Sequence, residues 1–292
     1  MLKLKQLTWI QGLYILGLIW LAGALFDRFW TLLDNAIPAW DQAGHLNSVL
    51  DYSQILQAPQ WFNGQWWREF WLLSPRKTPL VYILDVPFFN TFGQNFDAAT
   101  LIMLVFSAIL LVSVYGLGVF LFSVPVGLWA AGLCQLLPGL YVYRLDFLLD
   151  YPLTAFVSLT FYLLTVWYFS LDNPQKNSRK GWLLTLAWGL ALGISLLVKQ
   201  SALLFFFFPS LYALLVILKH RYWGKLLQLM SGYGVSLLVF YPYLQVNWIG
   251  LISATRRSTV EAAGLEGDPS LNTLAAWTYY FQLLPDLLSW DL

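Results

Sequence analysis

Long apolar runs without charge constrain this chain more than any other feature. Runs that meet or approach the length of a membrane span cover residues 6–26, 98–143, 151–171, 181–198, 200–218 and 226–255. A helix needs about 20 largely apolar residues to cross a bilayer. The chain is 59% hydrophobic and only 11% charged, whereas soluble domains carry roughly 25% charged residues. The sequence therefore predicts an all-α, polytopic membrane protein.

The longest run, 98–143, exceeds the length of one helix. Ser123-Val124-Pro125 divides it, because proline removes a backbone donor and clashes with the preceding turn. The sequence then predicts about seven spans, near 8–26, 100–122, 126–142, 150–170, 181–198, 201–218 and 228–249. A signal peptide cleaved near Ala22-Gly23-Ala24 is the alternative for the first span. Its apolar stretch is longer than the usual 7–15 or so residues, which favours an uncleaved anchor.

The charges fall into two groups, and this separation predicts the orientation. Short cytoplasmic loops carry the excess of Lys and Arg. A cytoplasmic N-terminus places all three basic stretches on that side: Lys3/Lys5, Lys176/Arg179/Lys180 and Lys219/Arg221/Lys225. A large first outer loop at 27–99 and a second outer stretch at 250–292 then remain on the other face. We expect one membrane domain over 1–292 in the plasma (inner) membrane, with its active site on the non-cytoplasmic face.

The first outer loop opens with an amphipathic pattern. Leu46, Val49, Leu50 and Leu56 share one face at helical spacing. A dense group of tryptophans follows: Trp61, Trp66, Trp67 and Trp71. This pattern favours helices lying in the headgroup plane over a separate soluble lid domain.

Other features exclude or narrow function classes. A net charge of +1 gives no reason to expect a nucleic acid partner. The sequence contains no Walker A loop and no strand followed by Gly-x-Gly-x-x-Gly, so soluble nucleotide binding is not indicated. The small-xxx-small pattern from Gly189 to Gly193 predicts close helix packing inside one span.

Charged and polar side chains gather near the predicted outer ends of the spans. Charge at membrane depth is costly and indicates a functional site with paired partners; the alternative is snorkelling of Lys and Arg to the headgroups. The candidates come from several segments: Asp41, His45, Arg76, Lys77, Arg144, Asp146, Asp150, Lys199, Arg256, Arg257 and Glu261. Asp41 and His45 are spaced i,i+4 and share one helix face. No third metal ligand stands out at a telling spacing, so a carboxylate base beside a polar neighbour is the simpler interpretation, and a divalent metal stays open.

Four segments resemble motifs of GT-C glycosyltransferases. Trp40-Asp41 with His45 is similar to the acidic motif of the first loop in that family. Ser74-Pro75-Arg76-Lys77-Thr78-Pro79-Leu80-Val81-Tyr82 resembles its Lys-Pro-Pro-Leu-x-Tyr-like segment. Arg144-Leu145-Asp146-Phe147-Leu148-Leu149-Asp150-Tyr151-Pro152-Leu153 is similar to its second acidic segment, and Lys199-Gln200-Ser201-Ala202-Leu203 also resembles the family. The nearest branch is the protein O-mannosyltransferase and aminoarabinose transferase group (glycosyltransferase 39/83-like), and the resemblance covers most of the chain.

The resemblance implies a helical membrane enzyme with an outer-face active site. Such enzymes take a sugar from a polyprenyl-phosphate carrier and pass it to a hydroxyl on a lipid, glycan or protein. It implies that Asp41 is the catalytic carboxylate, Lys77 a phosphate-contacting cation, and Asp150 the second acidic position. Fixed cations stabilise a departing phosphate, so Arg76 and Lys199 join Lys77 as expected donor ligands. The expected supporting residues are His45, Arg144, Asp146, Arg257 and Glu261.

Two departures from the family pattern leave the exact donor open. Gln42 stands where the family often has a second acidic residue, and Thr78-Pro79 stands where it has two prolines. Relatives usually carry further spans, so we expect this chain to be truncated at its C-terminus and the stretch 250–292 to be incomplete. The alternatives to an inverting glycosyltransferase are a transporter or flippase for lipid-linked glycans, which predicts inverted repeats, and a non-catalytic membrane scaffold.

Overall fold

The computed structural model describes residues 7–170, 179–258, 265, 267, 269–270 and 272–288. These residues form thirteen helices and no strand, which confirms the predicted all-α class. The first seven are α1 (Trp9–Leu33), α2 (Trp40–Ile55), α3 (Gly64–Leu72), α4 (Leu80–Phe92), α5 (Phe96–Ala99), α6 (Ile102–Leu121) and α7 (Val124–Leu136). The others are α8 (Pro138–Leu145), α9 (Asp150–Phe169), α10 (Arg179–Val198), α11 (Ala202–His220), α12 (Trp223–Arg256) and α13 (Leu274–Leu288).

Six helical segments of the described chain are long and apolar enough to cross a membrane. They are α1, α5 with α6, α9, α10, α11 and α12, and the pair α7–α8 makes a seventh if its two helices form one span. This result confirms the prediction of a polytopic membrane protein with about seven spans. The break between α6 and α7 lies at the predicted proline segment, with Pro125 in the first turn of α7.

Three spans differ in detail from the sequence prediction. Helix α12, Trp223–Arg256, extends past both ends of the predicted span 228–249. Helix α1 continues past residue 26 to Leu33, because the charge of Asp27 is paired inside the protein with Arg144. The third span is not one straight helix: α7 and α8 meet at an angle of 60°. Leu137 has extended backbone and Pro138 begins α8, as expected because a proline without a backbone N–H is tolerated in the first turn of a helix.

Helix α10 packs between α9 and α12. A Cβ atom at Gly189 would lie 2.4 Å from the carbonyl oxygen of Gly232 on α12, and a Cβ at Gly193 would lie 2.7 Å from the side chain of Val239. The two helices approach this closely only because small residues face each other. The predicted packing role of the small-xxx-small pattern is therefore confirmed.

The helices of the first loop share one hydrophobic core with the spans. Val49 and Tyr52 of α2, Phe70 of α3 and Tyr82 of α4 are buried in the same cluster as Trp167 of α9. The predicted apolar face of α2 packs against this cluster through Leu46, Leu50 and Leu56. This burial fixes α2 and α4 against the ends of α9 and α10, where the polar residues gather.

Candidate active site

A cavity of about 410 Å³ collects seven of the predicted site residues. We call it the cationic cavity. Arg76, Lys77, Lys199 and Arg257 supply four cations, and Asp41 and Asp150 supply two carboxylates. Its other lining residues are His45, Leu149, Gln200, Ser253, Ala254 and Ser258. The excess of positive charge makes this cavity suited to an anion such as a phosphate.

Two ion pairs divide the charges of the cationic cavity. The Nζ atom of Lys77 donates to Oδ1 of Asp41 at 2.9 Å, with side-chain exposures of 44% and 70%. The Nζ atom of Lys199 donates to Oδ1 of Asp150 at 2.6 Å. Ion pairs as exposed as these contribute about 0–1 kcal/mol. A bound anion can therefore compete for either lysine at little cost.

Helix ends position both carboxylates and Lys199. Asp41 lies in the first turn of α2 and Asp150 in the first turn of α9, where the positive end of the helix dipole favours a negative charge. Lys199 follows the last residue of α10, where the dipole favours a cation. Trp40, directly before Asp41, has a φ of 52°, a conformation that is strained for a bulky residue and that often occurs at functional sites.

Helix α12 holds the segment that carries Arg76 and Lys77. The Tyr243 hydroxyl lies 2.7 Å from the carbonyl oxygen of Ser74 and 3.1 Å from that of Lys77. Gly250 allows the closest approach, since a Cβ there would lie 2.2 Å from the carbonyl oxygen of Pro75. The backbone below the two cations is therefore fixed, while the Lys77 side chain stays partly exposed.

The electrostatics set different protonation states for Asp41 and His45. The hydrogen bond from Lys77 lowers the pKa of Asp41 below its usual value, so the carboxylate is ionised at neutral pH. His45 is only 3% exposed, and its Nδ1 lies 2.7 Å from the hydroxyl of Tyr82. Burial, followed by the charge of Lys77, lowers the pKa of His45 to about 4. A neutral imidazole thus lies one helical turn from an ionised carboxylate.

A second cavity, of about 620 Å³, adjoins the first at Asp41. We call it the acidic cavity, because Asp34, Asp41, Asp97 and Asp146 line it and no Lys or Arg is among its described lining residues. Burial raises the pKa of Asp146, while a hydrogen bond from Gln42 opposes that rise. A carboxylate at position 42 would repel Asp146, which gives a physical reason for glutamine at this departure from the family pattern.

Three predicted supporting residues lie outside the cationic cavity or beyond the described chain. Arg144 is buried against Asp27, with Nε to Oδ2 at 2.7 Å and Nη2 to Oδ1 at 2.9 Å, and it also donates to Gln135. Asp146 lines the acidic cavity. Glu261 lies outside the described residues.

The structure adds residues to which the sequence assigned no role. Tyr82 ends the predicted Lys-Pro-Pro-Leu-x-Tyr-like segment, and its hydroxyl contacts His45. Ser253, Ala254 and Ser258 line the cationic cavity from the end of α12. No sequence pattern pointed to these three small residues, which follow the last predicted span. Tyr82, by contrast, already belonged to a motif. Within the described residues, no three His, Cys, Asp or Glu side chains are grouped to hold a metal ion.

One comparison with known proteins identifies a family for this chain. A family model described as dolichyl-phosphate-mannose-protein mannosyltransferase matches residues 13–255. The match includes all four motif segments and every residue of the cationic cavity except Arg257 and Ser258. No curated protein and no solved structure matches the chain.

Proposed function

The chain belongs to the dolichyl-phosphate-mannose-protein mannosyltransferase family of membrane glycosyltransferases that use a lipid-linked sugar, and we propose that it transfers a sugar from a polyprenyl-phosphate carrier to a hydroxyl acceptor with inversion at the anomeric carbon. The observation that supports this proposal most is the position of Asp41. Its carboxylate borders a cation-lined cavity on one side and a cavity lined by carboxylates on the other. A base in that position can reach an acceptor on one side and a sugar phosphate on the other.

The phosphate of the donor binds in the cationic cavity. Lys77 and Lys199 contact its oxygens together with the guanidinium groups of Arg76 and Arg257, since charge-assisted hydrogen bonds to phosphate are the strong ones. The fixed backbone around Lys77 keeps these donors in place when charge develops on the leaving group. The apolar spans offer the polyprenyl tail a hydrophobic surface beside the cavity.

Asp41 acts as the general base. It takes the proton of the acceptor hydroxyl, whose oxygen bonds to the anomeric carbon from the face opposite the phosphate. The bond from that carbon to the phosphate oxygen breaks, and its electron pair leaves with the polyprenyl phosphate. The cations stabilise this charge, and the two adjoining cavities hold both reactants in the required orientation. The displacement inverts the anomeric configuration.

Donor binding prepares the base. In the structure Lys77 holds Asp41 and keeps its pKa low, which makes the carboxylate a weak proton acceptor. A phosphate that attracts Lys77 removes this hydrogen bond, so the pKa of Asp41 rises and its basicity increases. Asp150, the second acidic position, holds Lys199 at 2.6 Å and orients that cation toward the same phosphate.

The acceptor hydroxyl enters through the acidic cavity, on the non-cytoplasmic face of the plasma (inner) membrane, and the N-terminus is cytoplasmic. The distribution of basic stretches supports this orientation. The orientation is tested by labelling intact cells with an impermeant maleimide. The chain has one cysteine, so single cysteines are introduced one at a time into a Cys134→Ala background. Asp51→Cys, on the exposed face of α2, is expected to react, and Lys219→Cys, after the sixth predicted span, is expected to stay protected. The opposite labelling pattern excludes this orientation.

The activity itself is tested with the full-length chain in proteoliposomes that contain radiolabelled polyprenyl-phosphate mannose and a membrane extract as the source of hydroxyl acceptors. The expected products are free polyprenyl phosphate and a labelled glycoside with inverted anomeric configuration. Movement of intact donor between leaflets without a glycoside product supports the transporter alternative and contradicts the proposal.

A further inference from the structure

His45 and Tyr82 form a buried pair at the wall of the cationic cavity. The Tyr82 hydroxyl lies 2.7 Å from Nδ1 of His45, and the ring centroids are 5.5 Å apart. Phe147 contacts the imidazole edge-on at 6.5 Å. The reaction described above uses neither side chain of this pair, yet His45 lines the cavity and lies one turn from Asp41.

The surroundings fix the direction of this hydrogen bond. Tyr82 is fully buried, and among the described residues its hydroxyl has only Nδ1 of His45 as a partner. If Nδ1 carried a proton, the hydroxyl proton would have no acceptor, and a buried unsatisfied group costs about 1–3 kcal/mol. Tyr82 therefore donates and Nδ1 accepts. A neutral imidazole has one protonated nitrogen, so its proton is on Nε2.

Burial and the two nearby lysines keep the His45 ring neutral. Burial is the largest cause of the lowered pKa, and the cations Lys77 and Lys199 act in the same direction. Asp41 and Asp150 oppose it, and each of them is already paired with a lysine. Charged or titratable groups lie near the ring on each element around it: Asp41 (α2), Lys77 (the segment before α4), Tyr82 (α4), Asp150 (α9) and Lys199 (after α10). Arg76 and Arg257 line the same cavity.

We propose that Tyr82 is a positioning residue that fixes His45 as its neutral, Nε2-protonated tautomer, and that this N–H donates a hydrogen bond to an oxygen of the bound donor phosphate. Nε2 of His45 has no protein partner among the described residues. His45 lines the cavity that the four cations also line, and its imidazole is close enough to Lys77 and Lys199 for their charges to lower its pKa. A neutral donor stabilises developing negative charge without repelling Lys77. The identity of the phosphate rests on the proposed function, whereas the tautomer does not.

Nuclear magnetic resonance of the histidine ring nitrogens tests the tautomer directly. The chain has 2 histidines, so ¹⁵N-histidine labelling of the full-length protein in nanodiscs gives two ring systems, and His220→Gln assigns them. Between pH 5 and 8 we expect His45 to stay neutral with its proton on Nε2. A cationic ring or a proton on Nδ1 over this range overturns the proposal.

Two Tyr-to-Phe variants separate the hydroxyl of Tyr82 from general packing. Tyr82→Phe is expected to produce an Nδ1-protonated population of His45. Tyr52→Phe is the matched control, because Tyr52 is also buried and stacks on Tyr82, but its hydroxyl has no partner among the described residues. The control is expected to leave the His45 spectrum unchanged. An unchanged tautomer in Tyr82→Phe contradicts the positioning role.

Titration with a short-chain polyprenyl monophosphate tests the contact with phosphate. In the wild type, the Nε2–H resonance of His45 is expected to shift as the probe is added, until the site is saturated. Saturation is followed by the ³¹P signal of the probe. No shift at saturation overturns the contact. Because the probe carries no sugar, this result is independent of whether the chain transfers sugar, so failure of the transfer assay leaves it intact.

Kinetics give a third measurement in the active enzyme. Tyr82→Phe is expected to lower kcat about tenfold with little change in KM, a loss like that caused by removing the hydrogen-bond partner of a metal-ligating histidine. His45→Ala is expected to lose about 10²–10³ in kcat, and His45→Gln, which keeps an N–H donor, to lose less. Equal losses in the Ala and Gln variants contradict a donor role.

Discussion

The ammonium nitrogen of Lys77 lies 2.9 Å from Oδ1 of Asp41, although 36 positions separate the two residues in the chain. This contact joins the segment that contributes two cations to the helix that contributes the proposed base. It lowers the pKa of Asp41 in the resting protein. In the proposed mechanism, this pair links occupation of the cationic cavity to the basicity of the carboxylate.

Removal of Lys77 should change the pH dependence of transfer. Lys77 favours the ionised form of Asp41, so its loss raises the pKa of that carboxyl, and a base must be deprotonated to act. We expect the acid limb of the kcat/KM–pH profile to move to higher pH in Lys77→Gln, together with weaker donor binding. Lys77→Arg, which keeps the charge, is the control, and an acid limb that stays in place in Lys77→Gln argues against the coupling.

Breaking the buried pair of Asp27 and Arg144 should destabilise the fold. Both side chains are 2% exposed, and removing one partner of a buried pair costs about 3–5 kcal/mol because the other charge is left uncompensated. We expect Asp27→Leu and Arg144→Met each to lower the free energy of unfolding by this amount in a reversible SDS titration. The double variant should lose less than either single one. A double variant with the sum of both losses excludes this account.

The positions of the charged residues explain which span ends could be predicted from the sequence and which could not. Runs without charge defined the spans, and the predicted break at Pro125 was correct. The same rule ended the first span at residue 26, because the partner that neutralises Asp27 lies 117 positions away. The bend at Leu137–Pro138 was also missed, since a proline in a long apolar run gives no information on how the two halves pack.

The residues of the candidate site could also be predicted from the sequence, but their contacts could not. Each charged residue of the cationic cavity lies near a span end or in a loop motif, so its type and position could be read from the sequence. The pairing could not, because Asp41 with Lys77 and Asp150 with Lys199 depend on how α2, α9 and α10 pack. His45 was interpreted as a polar neighbour of Asp41, and that interpretation gave no indication that it is buried beside Tyr82.

Substitution at Gly232 should disturb the α10–α12 interface. A Cβ atom there would lie 2.1 Å from the ring of Trp188, and forcing extra atoms into a packed core costs about 1–3 kcal/mol. We expect Gly232→Ala to lower the melting temperature in detergent. Gly234→Ala is the matched control on the same helix, since a Cβ there meets nothing within 4 Å. Equal melting temperatures for the two variants contradict the packing model.

Asp85 should make stability depend on pH. Burial raises its pKa to about 8, and its carboxyl oxygens have no hydrogen-bond partner among the described residues. The pKa of an ordinary Asp is about 4. Folding therefore takes up a proton between about pH 4 and 8, so the free energy of unfolding falls as the pH rises through this range. Asp85→Asn should flatten the decline in melting temperature, while Asp51→Asn on an exposed face should not. A decline of the same slope in Asp85→Asn excludes Asp85 as its source.

The role of Asp41 is tested most directly by single-turnover transfer from labelled polyprenyl-phosphate sugar, with donor binding measured on the same preparations. Asp41→Asn should bind the donor and transfer its sugar about 10²–10⁴-fold more slowly, the usual contribution of a positioned base. Asp51→Asn, on the same helix, should match the wild type. A wild-type rate in donor-bound Asp41→Asn would contradict the assignment of Asp41 as the base.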